Sequence, residues 1–353
     1  MASGIESIIA RGEAASAQWC RPARIREHAK PWLIVRLPRS HEAHAISLPP
    51  RHARGGQFCY QQKATDAGWI PKGKIWTHYV HFLCFRIQVD AISSISDLVE
   101  SLQRRGRYAF TRAEVATALP LSEGALTKGL QRLARKDRVR MLRRGFFVII
   151  PVEYSATGMI PTDWFIAELM QFLELPYYIG VLSAAALHGA AHQQPQEYHI
   201  VVPKPERPVR QPTVTIRFFR HAAMSTTPTE SVKGYTGMLP VSTPAATALD
   251  LVRFAAHIGG LDAVLTVLVE LAEKLTPENV LAGAQTESEL AQVQRLGWLL
   301  ERAGWPQLAE PLADWLAARP RHKVRLDPRR PALGARKDAR WQVVVNADPQ
   351  SEV

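Results

Sequence analysis

The sequence predicts an α+β protein: a small basic head of three helices and a β-hairpin, joined to a larger mixed α+β domain and preceded by a poorly ordered extension. Three observations carry that expectation. Helical periodicity begins abruptly at Ile92, positive charge is concentrated between residues 99 and 150, and helical and strand patterns mix from about residue 160 onward. With 353 residues, 46% hydrophobic and 22% charged, the chain has the balance of a core-forming protein long enough for two domains.

Residues 1–91 are the expected extension. They hold all three cysteines (Cys20, Cys59, Cys84) and scattered histidines, with no sustained helical period. An odd number of cysteines without CxxC spacing argues against a disulfide framework or a structural zinc site and fits a reducing cytoplasm. The alternative is a small strand-rich element, with residues 32–37 and 79–89 as its strands. No window reaches the roughly 18 unbroken apolar residues that span a bilayer, and residues 79–89 are interrupted by His81 and Arg86. The first residues lack the apolar core of a secretory signal. The expectation is a cytoplasmic protein with no membrane partner.

The head is expected over residues 92–152. Ile95, Leu98, Val99 and Leu102 form one apolar stripe, with Ser94 as cap and Gly106 as stop, which predicts the first helix. Residues 111–114 (TRAE) read as a capping box opening a short helix that runs to Leu119 and is ended by Pro120. Ser122 caps the third helix, whose apolar stripe is Leu126, Leu130 and Leu133. Its outward positions include Glu123, Gly124, Thr127, Lys128, Gln131, Arg132 and Arg135, side chains of the kind that reach base edges and phosphates. Residues 139–142 and 146–150 then read as two strands joined by a tight turn at Arg143, Arg144 and Gly145. This order is that of a winged helix-turn-helix, with the third helix for recognition and the two arginines on the wing.

An isolated helix with outward cations is ordinarily just a solvated face. Here the charge is one-sided over successive elements: residues 99–150 hold 12 Lys+Arg against 4 Asp+Glu, residues 1–98 hold 13 against 7, and residues 151–353 hold 19 against 21. A polyanion partner for the head, double-stranded DNA, follows from that distribution. The residues expected to contact it are Ser122, Glu123, Thr127, Lys128, Gln131, Arg132, Arg135, Arg143 and Arg144.

In the large domain, residues 160–347, a helix is expected from Pro161 toward Leu173 and another over residues 183–188. Residues 198–202 and 214–219 read as strands separated by a proline-rich turn. Thr243 followed by Pro244 is a strong helix start. Two amphipathic helices are expected near 261–274 and 287–303, then a basic stretch over 319–340 and a terminal strand over 341–345. His188 and His192 have metal-ligand spacing, yet Gly189, Ala190 and Ala191 stand between them and the glutamate of an HExxH site is missing. A packed helix end suits His188 and an exposed position His192. Ser183 is in no GxSxG elbow, and neither a phosphate-binding P-loop nor a dinucleotide fingerprint occurs. Asp250 and Asp262 are isolated carboxylates for which surface or capping roles suffice. No catalytic residue, metal or cofactor is expected.

Residues 108–115 (YAFTRAEV), 121–128 (LSEGALTK) and 142–147 (LRRGFF) resemble the winged-helix head of AbiEi-type antitoxins. Residues 176–189 (PYYIGVLSAAALHG), 217–220 (RFFR) and 242–251 (STPAATALDL) look like the body of the same family, so the resemblance spans about residues 93–347. It implies a non-enzymatic autorepressor that binds inverted repeats at its own promoter. It also implies an antitoxin of a type IV toxin-antitoxin pair, active in abortive infection against phage and opposing a nucleotidyltransferase toxin. The competing classes are a DNA-targeted enzyme, a nuclease or nucleotide-modifying one, and a protein-interaction module with an acidic partner.

Overall fold

The computed structural model describes residues 92–190 and 196–352. The expected extension, residues 1–91, and His192 lie outside the described residues.

Local capping chemistry places the first helices. α1 (Ile95–Arg104) starts at a capping box in which Ser94 accepts from the Asp97 N–H and Asp97 returns the bond to the Ser94 N–H. The short strand β1 (Ala109–Thr111), absent from the sequence expectations, runs directly into α2 (Arg112–Ala118), whose N-cap Thr111 forms the second box with Glu114. α3 (Glu123–Arg135) begins at Ser122, whose hydroxyl accepts from the Ala125 N–H. β2 (Val139–Arg143) and β3 (Phe146–Ile149) form the hairpin, with Gly145 at φ +88°, a conformation open to glycine. β1 adds to the far side of β3, giving an antiparallel sheet ordered β1-β3-β2. Leu98, Val99 and Leu102 of α1, Val115 of α2 and Leu126, Leu130 and Leu133 of α3 bury against Phe110, Phe147 and Ile149.

After the head the chain does not form one helix from Pro161. A 3-10 turn at Thr162–Trp164 is broken at Phe165, and α4 (Ile166–Phe172) begins anew. The large domain is built on a six-stranded mixed sheet from β4 (Tyr178–Ile179), β5 (Glu197–Val202), β6 (Val209–Arg210), β7 (Thr215–Arg220), β8 (Thr229–Lys233) and β9 (Met238–Ser242), in the order β6-β7-β5-β4-β9-β8. α5 (Val181–Leu187) follows β4. The expectation that only a proline-rich turn separates β5 from β7 is corrected: they pair in parallel, Ile200 opposite Phe218, while β6 forms inside the connection and pairs antiparallel with β7. Residues 199–202 of β5 are all buried, the mark of a central strand covered on both faces, and such strands give no alternating pattern.

α6 (Pro244–Arg253), with Thr243 as cap and Pro244 at its first position, is buried from Ala245 to Val252 and so runs through the core. Around it lie α7 (Gly260–Leu271), α8 (Pro277–Thr286), α9 (Leu290–Arg302) and α10 (Pro306–Ala317). β10 (Val324–Arg325), β11 (Arg336–Asp338) and β12 (Val343–Val345) close the chain in a small sheet ordered β10-β12-β11, and Trp341 beside it is completely buried. Asp250 is 2% exposed, which corrects the expectation of a surface or capping carboxylate. It stands on a helix that is buried all round.

One apolar core crosses from head to body. Tyr108, Ala109, Leu142, Phe146, Val148 and Ile150 pack in the same cluster as Met159, Ile160, Phe165, Ile166 and the sheet residues Ile179 and Ile200. Among the described residues no helix is long and apolar enough to cross a membrane.

Candidate nucleic-acid interface

Leu126, Leu130 and Leu133 turn one side of α3 into the core, and the opposite side carries Lys128, Gln131, Arg132 and Arg135, all exposed. The spacing i, i+3, i+4, i+7 sets these four on one stripe. None of the three cations has an ion-pair partner among the described residues, so their charge is available to an outside anion.

The other expected contacts are placed differently. Ser122 is exposed but its hydroxyl caps α3. Glu123 pairs with Arg112 at 2.5 Å, and Arg112 also donates to Thr127 Oγ1 at 2.9 Å, so a cation on α2 neutralises the one acidic group at the start of α3. Thr127 is half-buried and donates to the Glu123 carbonyl at 2.8 Å. The bridging role of Arg112 was not legible in sequence, because it joins two elements eleven residues apart through side chains alone.

The two wing arginines diverge. Arg144 is exposed and unpaired among the described residues. Arg143 points to the large domain: its guanidinium lies 3.2 Å from the Glu206 carboxylate and donates to the carbonyls of Arg207 and Pro208. Arg143 therefore fastens the hairpin to the loop after β5, which the pattern of two adjacent arginines does not reveal.

Further contacts fix the head on the body. Arg107 bridges Glu114 of α2 at 2.6 Å and Glu168 of α4 at 2.5 Å, and burial pushes the Glu168 carboxyl up. Tyr108 packs on Trp164 with ring centroids 4.7 Å apart, and Trp164 stacks on Tyr235 at 3.8 Å. The basic stripe is thus carried on a supported platform.

In the body, His188 ends α5 with Nε2 2.7 Å from the Ser242 carbonyl, a packed helix end. Among the described residues no group of three His, Cys, Asp or Glu is placed to hold a metal ion. A cleft of about 520 Å³ is lined by Asp163, Ser183, Tyr198 and Lys233 among others. The Ser183 hydroxyl accepts from the His199 N–H at 2.8 Å and, among the described residues, meets no basic partner of the kind that activates a serine nucleophile.

An α+β body carrying a small head with a basic helical stripe defines the class of protein. Residues 178–302, about a third of the chain, match the family model of the AbiEi antitoxin C-terminal domain, so this part of the large domain is of the AbiEi antitoxin type. The crystal structure of the RV2827C protein from Mycobacterium tuberculosis is similar at a TM-score of 0.51 and 17% identity, over 73% of this chain and 91% of that one. That likeness is one of fold. No curated protein matches the chain.

Proposed function

We propose that the protein is a DNA-binding transcriptional autorepressor and the antitoxin of a type IV toxin-antitoxin system, opposing a nucleotidyltransferase toxin in abortive infection against phage. On this reading residues 92–152 are a winged helix-turn-helix DNA-binding domain and residues 160–347 the antitoxin domain, neither of them an enzyme. The observation that carries the DNA half is the unpaired stripe Lys128, Gln131, Arg132 and Arg135 on a capped helix, followed by a hairpin with Arg144 at its tip. A helix with hydrogen-bonding and cationic side chains on its outer face fits the major groove, and a basic hairpin fits flanking phosphates. Ser122, Glu123 and Thr127 take part by capping and orienting the start of α3, and Arg143 by anchoring the wing. The antitoxin half is supported by the AbiEi match in the body.

The test is a titration of the full chain against duplex DNA from upstream of its own gene, with unrelated duplex as competitor, at two salt concentrations. Selective binding that weakens with salt and is lost in Lys128→Ala/Arg132→Ala supports the reading. Binding unchanged by those substitutions, with unchanged salt dependence, overturns it. Co-expression with a nucleotidyltransferase toxin of such a pair tests the other half: restored growth is expected, and unrelieved toxicity would remove the antitoxin assignment.

A further inference from the structure

The basic stretch over residues 319–340 has no part in the reading above, and it supplies one wall of a cleft in the large domain. That cleft, about 90 Å³, lies between the end of α6, the start of α7, α9 and the turn after β10. Three arginines line it, Arg253, Arg295 and Arg329, against a single carboxylate, Asp327. Asp327 is taken up within its own turn: it pairs with Arg329 and Arg330, each at 3.4 Å, and accepts the Arg329 N–H at 2.9 Å. Arg329 also donates to the Ala256 carbonyl at 3.3 Å, which ties it to the turn after α6.

Arg295 is the unusual member. Its Nε donates to the Arg325 carbonyl at 2.9 Å and its Nη1 to Gln292 Oε1 at 3.1 Å, and among the described residues it has no ion-pair partner. Burial pushes its guanidinium down, while Glu289, which attracts it, is already paired with Arg253 at 3.1 Å. Charged side chains are seldom taken out of water without a counter-charge. Clamping β10 to α9 accounts for two of the five donors of Arg295 and leaves three. Arg253 adds a second, independent sign: its side chain is 8% exposed and pairs with Glu287 and Glu289, yet its Nε is buried without a hydrogen-bond partner among the described residues. Buried donors are normally satisfied. Here two arginines at one cleft keep donors in reserve.

We propose that this cleft binds a phosphoryl group, as inorganic phosphate or as the phosphate end of a small phosphomonoester, through Arg295, Arg329 and the unpartnered Nε of Arg253. The planar guanidinium fork matches the oxygen geometry of phosphate, and such bonds strengthen where Leu261 and Leu326, both buried, keep water out of the wall. Arg295 and Arg329 are held by backbone carbonyls before any ligand arrives, so little side-chain freedom is lost on binding. Occupancy would fasten α6, α9 and the turn after β10 to one another and link the stability of the body to phosphate concentration. The site depends on neither the DNA-binding nor the antitoxin reading.

The experiment is isothermal titration calorimetry and thermal melting of the full chain in phosphate-free buffer at constant ionic strength, with sodium phosphate and adenosine monophosphate as probes. Saturable binding and a raised melting temperature are expected. Tighter binding of the nucleotide would assign the site to a phosphomonoester, and equal or weaker binding to the free ion. The variants are Arg295→Gln, Arg329→Ala and a control from the same stretch, Lys323→Ala/Lys337→Ala, each checked for folding by circular dichroism. Arg295→Gln and Arg329→Ala should each weaken binding about tenfold to a hundredfold, the loss expected for hydrogen bonds to a charged group. The control should bind as the wild type does. Should Arg295→Gln fail to fold, the exposed Arg329 carries the test. No saturable binding of either probe overturns the inference, as does binding that the arginine variants leave intact or that the control loses equally. Binding of duplex DNA that needs Arg295 and Arg329, with neither probe bound, would also overturn it by giving these cations to a nucleic-acid surface.

Discussion

The Tyr178 hydroxyl donates to Asp250 Oδ1 at 3.2 Å, while Asp250 Oδ2 has no hydrogen-bond partner among the described residues. Burial pushes the Asp250 carboxyl up to about 7 from 3.8. Between those values the folded protein keeps a proton that the unfolded chain has released, so this group's contribution to stability falls as pH rises through the window. His199 has the opposite sign: burial pushes its imidazole down to about 4 from 6.5, and its contribution falls as pH drops from 6.5 toward 4. Burial also lowers His221, which adds to the His199 effect. In the wild type the Asp250 and His199 contributions should therefore largely cancel in this range, leaving that of His221. Asp250→Asn should unmask the histidine slope, about 1.4 kcal/mol per pH unit from His199 below pH 6.5 with the His221 contribution added to it. Urea unfolding of both proteins at several pH values checks this, and parallel profiles would refute it.

Arg253 is held in the interior by two carboxylates, Glu287 at 2.5 Å and Glu289 at 3.1 Å, and the side chains of Arg253 and Glu287 are 8% and 5% exposed. Removing one partner of a buried pair leaves the other charge without compensation, at about 3–5 kcal/mol. Arg253→Met should destabilise by that order, and Arg253→Met/Glu287→Leu should recover a large part of the loss. Denaturant midpoints decide the matter: a double variant no more stable than the single would mean that packing, not charge, dominates at this site.

Gly297 on α9 lies under the Trp341 ring, and a Cβ there would fall well inside van der Waals contact with it. Alanine is worth about 1 kcal/mol over glycine in a helix interior, whereas overpacking a filled core costs about 1–3 kcal/mol. Trp341 is completely buried and has no room to yield, so the steric effect wins. Gly297→Ala should lower the melting temperature, and Trp341→Phe in the same chain should restore part of it. A more stable Gly297→Ala would show that the ring moves freely.

Arg143 and Arg144 adjoin in sequence and should separate in function. Arg144→Ala removes an exposed cation and should reduce the salt slope of promoter binding by about 1 with the fold intact. Arg143→Ala removes the link to Glu206, Arg207 and Pro208, so it should loosen the hairpin, raise amide exchange in β2 and β3, and leave Glu206 unpaired. Equal slope losses with equal exchange would contradict this division.

Much of the head was legible because its signals are local. Ser94, Thr111 and Ser122 cap helices within three residues of themselves, and Gly145 marks a two-residue turn. The same chemistry placed α6 from Thr243 and Pro244. α8 carries a comparable start in Thr276 and Pro277, yet was missed because it buries only Val280, Gly283 and Ala284, too small a stripe to register as periodic. α10 lacks a side-chain cap and holds Pro311 within it. The parallel pairing of β5 with β7 and the burial of Asp250 depend on contacts distant in sequence. So does the diversion of Arg143 from the interface: its partner Glu206 is 63 residues away. Of the expected DNA contacts, the α3 stripe followed from helical period alone.

The core that runs unbroken from Phe146 and Ile150 into Ile166 and Ile179 bears on how such a protein diversifies. A head cut away near residue 152 would bare that apolar face and should aggregate, so heads cannot be exchanged between relatives as independent cassettes. On the proposed reading, new operator preferences would arise by point substitution along the outer stripe of α3, with the body inherited alongside. Repression and toxin neutralisation would then travel together through evolution.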